Sequence, residues 1–529
     1  MTRTEHSLRN IQFSLLGQGV GILTAFFVRK VFVLTLSQEY LGLDGAFSNI
    51  LTMLSLAELG IGGAVTFGLY KPLAENDQEQ IAALMTFYGK AYRRVGLAVA
   101  ALGGALAPFL PALIRDLPDI PHIYAIYLLF LLNAASSYFF VYEQSLIIAS
   151  QRQYIVTVCH SALKILFLLA QALFLWLTHN YFVYLGLQIG AALLENLILS
   201  YLANRLYPYL KTMKKASLSW ETQRKLLQNT RALLAHKIGT VVVLGTDNLL
   251  ISCFVGVVPV GLYSNYLMVL NGLNTGYHHI FRALTASVGN LGATEEAGRA
   301  LPVFQRVCFA CNWLYGFSAV CLTVLLNPFV ELWLGEEFLF SQGTVCLISL
   351  NFYVSGMRQA VLTFRDAYGL YWYDRRKPLI ESAVNLAVSA ALAVPFGMAG
   401  IFWGTFASTM TTCFWIEPLV LFRYGLQTSA KPYFRDYAVN TVITLLCAAL
   451  TWRLCQALPG TGMPHFLGKM AVCGIVGNLF YGLAYRRREE FRYFLRLLAG
   501  LLAKEGRRET KRKSRHSDGT SHGGENTGK

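Results

Sequence analysis

The sequence predicts an all-α polytopic membrane protein of about fourteen transmembrane helices, arranged as two related lobes followed by two further C-terminal helices. Three observations predict it. Apolar residues make up 55% of the 529-residue chain and charged residues only 14%, where a soluble protein carries about a quarter charged residues. Apolar runs of the roughly 20 residues needed to cross a bilayer recur from end to end. Lys and Arg concentrate in alternate loops, the asymmetry that orients membrane helices.

The opening MTRTEHSLRN is short and polar, and about 25 mostly apolar residues follow. That run exceeds a signal-peptide core of ~7–15 residues, and no A-x-A-like site closes it, so it predicts a retained first span. Spans are predicted near 11–36, 41–70, 80–110, 122–147, 154–178, 181–204, 233–257, 260–289, 303–326, 343–370, 378–396, 398–422, 434–456 and 464–486. With the N-terminus inside, the inner segments carry KTMKK, QRK, YDRRK and RRREE. The outer loops are nearly bare of cations, and 327–342 is acidic. Both termini are therefore expected in the cytoplasm of a bacterial cell.

These spans divide into an N-terminal lobe (1–204), an inner loop (205–232), a C-terminal lobe (233–430), two additional helices (431–486) and a basic tail (487–529). The tail reads as disordered and drawn to anionic lipid. Gly42-Leu43, in EYLGLDGAFSNIL, recurs as Gly261-Leu262, in VPVGLYSNYLMVL, at the matching place in the second half, as expected of a transporter built from repeats. The net charge of +16 lies largely in loops and tail, which argues for orientation rather than nucleic-acid binding. The ten cysteines are scattered, and the Cys308–Cys311 CxxC has no second pair or His cluster, so neither a metal site nor a disulfide framework is expected.

Ionisable residues inside spans are the candidate functional residues. Arg29 and Lys30 adjoin within LTAFFVRKVFVLTL. Lys30 is nearer the outer interface and can snorkel; Arg29 shares a face with Ser14, Gln18 and Ala25, a stripe suited to a cavity wall. Asn271, Thr275, His278 and Arg282 form a second stripe at i, i+4, i+7 and i+11. Asn351, Ser355, Arg358 and Arg365 form a third. Such stripes either line a cavity or hydrogen-bond helices together. Lys164 is a further mid-span cation, and Asp366 beside Arg365 predicts a local pair. Glu58 and Asp247, at mid-depth early in each half, either neutralise the arginines or hold a coupling H⁺ or Na⁺; Glu143 and Glu195 are further acids. Several arginines and a lysine around one cavity suit phosphate or carboxylate oxygens, and hence an anionic, amphipathic substrate such as a lipid-linked pyrophosphate.

SLRNIQFSLLGQGVGILTAFFVRKVF, LGLDGAFSNILTMLSLAELGIGGAVTFGLYKPLAE and GTDNLLISCFVGVVPVGLYSNYLMVL resemble the multidrug/oligosaccharidyl-lipid/polysaccharide (MOP) exporter superfamily, in particular its Wzx-type polysaccharide flippases. The resemblance covers about residues 8–490. It implies a MATE/MurJ-like fold, alternating access, and flipping of an undecaprenyl-pyrophosphate-linked glycan to the outer leaflet. It also implies no enzymatic activity, no cofactor beyond a coupling ion, and association with membrane lipids and other polysaccharide-biosynthesis membrane proteins. Arg29 and Arg282 match first- and eighth-span arginines of the related lipid II flippases; the second span carries Glu58 and no arginine. The alternative is a cation-coupled drug exporter of the same superfamily, which would favour acids and aromatics in its cavity. Integral glycosyltransferases and polymerases need long outer loops that this chain lacks.

Overall fold

The computed structural model describes residues 3–54, 61–139, 141–212, 245–294, 297–497 and 499–500, with isolated positions between 213 and 244. No strand occurs among the described residues. The chain is a multi-pass membrane protein: among the described residues nine helices are long and apolar enough to cross a bilayer, or ten with one bent pair counted as a span.

The first part comprises α1 (Arg3–Thr35), α2 (Gln38–Leu54), α3 (Ile61–Glu75), α4 (Gln78–Leu106), α5 (Ile123–Ser137), α6 (Val141–Ala149), α7 (Gln153–Thr178) and α8 (Tyr181–Leu206). Side chains close the polar ends of two of them. Asp77 accepts from the Gln80 amide at 2.9 Å to cap α4, and Asn180 accepts from the Phe182 amide at 2.8 Å to cap α8. The expected span 41–70 is seen as α2 and α3; residues 55–60 between them, and with them Glu58, lie outside the described residues. Most of the inner loop 205–232 and the tail beyond residue 500 lie outside them too.

The second part holds residues 245–250, which pass into a π-helical turn at Ile251–Val255, then α9 (Val257–Thr294), α10 (Ala297–Trp333), α11 (Gln342–Met357), α12 (Gln359–Ala367), α13 (Lys377–Ser408), α14 (Phe414–Val420), α15 (Lys431–Gln456) and α16 (Met463–Tyr485). Helix α10 runs seven residues past its expected end at 326. Asn327, expected in an outer loop, instead accepts from Tyr266 Oη at 2.6 Å and donates to the Phe340 carbonyl at 2.9 Å, which holds the last turns in place.

Helix α13 is two antiparallel arms. Gly397, at φ 55° and ψ −130°, breaks it at the division predicted between 396 and 398. The arms lie so close that a Cβ on Gly400 would stand 2.0 Å from the Leu392 carbonyl oxygen, and one on Gly404 2.1 Å from Ser389 Oγ. Small residues permit this approach, the usual device for joining helices where lipid offers no hydrophobic drive.

Two compact units result. One comprises Met1–Ile280, Asn327–Asn351 and Tyr371–Glu417; the other comprises Phe281–Leu326, Phe352–Leu370 and Pro418–Lys529. In the second unit the two C-terminal helices are fixed by buried polar groups. Asn312 of α10 donates to Tyr485 Oη at 2.9 Å, Tyr485 donates to Asn440 Oδ1 at 3.1 Å, and Thr444 pairs with Tyr481 Oη at 2.9 Å. Residues 489–497, expected as the start of a disordered tail, are helical, and Phe491 stacks on Trp313 at 5.6 Å. The aromatic face of that segment finds a partner, which a purely basic tail would not.

Candidate substrate cavity and ion-linked carboxylate

In the first unit, α1, α7 and α9 enclose a cavity of about 530 Å³. Its polar wall comprises Gln18 from α1, Gln153, Thr157, His160, Ser161 and Lys164 from α7, and Asn271 and Thr275 from α9. The placement follows from helical spacing. Gln18, Ala25 and Arg29 share one face of α1; Gln153, Thr157, His160 and Lys164 share one face of α7; and Met268, Asn271 and Thr275 share one face of α9. Glycines 17, 21 and 272 give the wall its room. Among the described residues no Asp, Glu, Phe, Tyr or Trp lines it.

Charge lies in and just beyond this wall. Lys164 is exposed to the cavity. His160 donates from Nδ1 to Glu195 Oε1 of α8 at 2.9 Å, which leaves Nε2 for the cavity side. His279 of α9 donates to Gln18 Oε1 at 2.9 Å. Arg29 sits one turn past Ala25 and donates to Ser264 Oγ at 3.4 Å, one turn before Met268. Asp44, whose Oδ1 accepts from Tyr181 Oη at 3.3 Å, lies within electrostatic reach of Arg29. The acid beside this arginine is thus Asp44, which the sequence reading passed over.

Past Arg29 the helices close together. A Cβ on Gly261 would stand 2.7 Å from the Gly42 backbone nitrogen, so the repeated Gly-Leu pairs of the two halves meet at one crossing. Lys30, expected to snorkel outward, donates to the Trp333 main-chain oxygen at the end of α10, and Trp333 Nε1 donates back to the Phe26 carbonyl at 3.1 Å. An ammonium at a helix C-terminus meets its unpaired carbonyls and its dipole, a better site than the headgroup region.

Of the remaining predicted residues, His278 is exposed on α9 and lies off the cavity wall. Arg282, exposed on the same helix, and half-buried Arg358 belong to the second unit. Asn351 donates to the Phe402 carbonyl at 3.0 Å, the helix-joining role. Arg365 and Asp366 form the expected local pair, with Nη2 to Oδ1 at 2.8 Å.

Asp247 lies apart from these cations. Its Oδ1 accepts from Thr405 Oγ1 at 2.8 Å, and Thr405 also accepts from Asn385 Nδ2 at 3.1 Å. Asn385 Oδ1 is buried and has no hydrogen-bond partner among the described residues. Among the described residues no Lys or Arg forms an ion pair with Asp247. None of the ten cysteines is in a disulfide, and no cluster of His, Cys, Asp and Glu among the described residues could hold a metal.

No family model and no curated protein matches the chain. Solved structures do. A lipid II flippase MurJ in an inward closed conformation matches with a TM-score of 0.62 at 15% identity, over 90% of this chain and 99% of that one. An inward-facing multidrug resistance MATE family transporter of the MOP superfamily matches at 0.58 and 12% identity, over 79% and 98%. A mutant of the Vibrio cholerae MATE transporter VcmN matches at 0.52 and 15% identity, over 80% and 99%. The chain therefore has the fold of the MOP-superfamily transporters, the one common to MurJ and the MATE proteins.

Proposed function

We propose that the protein flips an undecaprenyl-pyrophosphate-linked oligosaccharide from the cytoplasmic to the outer leaflet of the bacterial cell membrane by alternating access. The observation that carries this reading is the chemistry of the α1–α7–α9 cavity. Gln18, Gln153, Thr157, Asn271 and Thr275 offer amide and hydroxyl groups that pair with sugar hydroxyls. Lys164, and Arg29 one turn beyond, offer cations to phosphate or acidic sugar oxygens. With the N-terminus inside, as the basic loops argue, the cavity lies toward the cytoplasm and the Gly42–Gly261 crossing closes it outward. Arg282, Arg358 and His278 are kept as further contacts for the anionic headgroup on the travelling path.

Asp247 is the coupling residue in this reading. A carboxylate facing a hydroxyl, with a partnerless amide oxygen nearby, can exchange a proton or a sodium ion.

The second reading is a cation-coupled exporter of drugs or small molecules, which the likeness to MATE structures supports. The lack of Asp, Glu, Phe, Tyr and Trp among the described residues of the cavity wall favours the flippase. Deletion separates the two. The flippase reading expects lipid-linked glycan to build up on the cytoplasmic side and surface polysaccharide to fall, with both restored by the wild-type gene and not by Lys164→Ala. Unchanged lipid-linked glycan with altered drug sensitivity would support the exporter.

A further inference from the structure

A second polar feature lies within the first unit, between the arms of the Gly397 hairpin. On the first arm Lys377, Glu381, Asn385 and Ser389 recur every fourth residue and so share one face; they are 6%, 5%, 0% and 0% exposed. The returning arm meets three of these levels. Ser389 Oγ donates to the Ile401 carbonyl at 3.2 Å, Asn385 to Thr405 at 3.1 Å, and Lys377 to Glu417. Ser408, Thr409 and Thr412, also buried, lie between the last two levels. The stretch Thr409–Cys413 is π-helical, a distortion that costs backbone regularity and recurs at functional sites.

Adhesion alone does not account for this seam. The glycines at 400 and 404 already bring the arms into contact. A buried Lys–Glu pair costs two desolvated charges, which apolar packing would avoid. The partnerless Asn385 Oδ1 sits along the line with its acceptor unused, beside Thr405 and thus beside Asp247. Asp374, 3% exposed, adds a carboxylate just before Lys377, at the end of the seam farthest from Asp247.

We propose that the seam is the route by which a monovalent cation, a proton or a sodium ion, passes between Asp247 and the membrane face where Lys377 lies, and that the Lys377–Glu417 pair is its gate. Carboxylate, amide and hydroxyl oxygens succeed one another along it, as such an ion requires. While Lys377 occupies Glu417, the mouth presents a fixed ammonium that excludes cations; once the pair parts, Glu417 becomes the entry ligand. The proposal rests on the reading of Asp247 as the coupling residue.

The full chain in sealed proteoliposomes tests it, with an entrapped pH dye for protons and radioactive sodium for Na⁺, without organic substrate. Lys377→Gln, which removes the ammonium and leaves Glu417 as the entry ligand, is expected to raise the leak of one of the two ions at least about tenfold, the change that loss of about 1.4 kcal/mol of closure gives. Adding Asp247→Asn should return that leak to the wild-type level, and the exchanged pair Lys377→Glu with Glu417→Lys should stay tight. Lys377→Gln with Glu417→Gln, which removes the ammonium and the pair's own carboxylate yet keeps amide oxygens at the mouth, should leak as well. Vesicles of Lys377→Gln and of the double Gln variant that are as tight as wild type would overturn the gate. A leak that persists with Asp247→Asn would overturn the route. Flipping of lipid-linked saccharide by the wild type in the same vesicles keeps these results separate from the proposed function, which falls if the wild type flips none.

Discussion

Replacing Gly261 by Ala, set against the same change at Gly276 of the same helix, tests the helix crossing that closes the cavity. A methyl group on Gly261 would stand 2.7 Å from the Gly42 nitrogen, 3.0 Å from its Cα and 3.1 Å from the Leu41 carbonyl carbon. All three are backbone atoms, so no side chain can rotate away. Carbon contacts relax only at about 3.5–4.0 Å, so α2 and α9 must part by several tenths of an ångström or more. Overpacking of that kind costs about 1–3 kcal/mol. A methyl on Gly276 meets nothing within 4 Å. Both changes gain the same helix propensity, about 1 kcal/mol, so that gain cancels between them. Gly261→Ala should therefore be about 1–3 kcal/mol less stable than Gly276→Ala, and Gly276→Ala should match or exceed wild type. Reversible unfolding in mixed micelles, followed by tryptophan fluorescence, reads the difference. Equal stability of the two variants would refute the close backbone contact of α2 with α9.

Three further outcomes follow from named contacts. Lys30→Met removes the cation from the end of α10 and should lower stability by about 0.5–1.5 kcal/mol; the same unfolding measurement checks it, and no loss would restore free snorkelling. Asn312→Ala strips Tyr485 of its buried donor and should cost about 1–3 kcal/mol, with early release of the C-terminal helices in limited proteolysis; uniform loss across the chain would argue against a local anchor. Asp247→Asn should abolish the response of transport to an imposed proton or sodium gradient while leaving gradient-free flipping measurable, and a retained response to both ions would remove Asp247 as the coupling residue.

Depth and face are legible in a membrane sequence because one solvent dictates both. The apolar runs placed the spans, and the break at Gly397 fell where a division at 396–398 was expected. Helical spacing likewise put Gln18 and Ala25 on one wall, with Arg29 one turn beyond them on the same face, and Asn271 with Thr275 on another. Which walls meet depends on contacts far apart in the chain, and spacing carries no information about them. Arg29 reaches Ser264 across 235 positions, and Lys30 reaches Trp333 across 303. For the same reason Asp44 was passed over beside Arg29, although it lies in the Gly-Leu repeat itself. Gln153 and His160 went unmarked because a polar residue near a span's end reads as interfacial until α1 and α9 are seen to close over it. Lys377 and Glu417 were hidden in another way. Lys377 ends the basic run YDRRK and reads as a loop charge, yet its side chain turns into the hairpin and is buried.

The most direct test of the proposed function is flipping itself. Full-length protein in liposomes is supplied with a fluorescent polyprenyl-pyrophosphate-linked oligosaccharide, and its arrival in the other leaflet is read by quenching from outside. Hydrogen bonds to charged groups contribute about 1.5–3 kcal/mol, or about 10–150-fold. Wild type should therefore flip the lipid, and Lys164→Ala and Arg29→Ala should each slow it at least about tenfold while remaining folded. Unslowed flipping by both variants, or none by the wild type, would contradict the cavity as the seat of a lipid-linked saccharide.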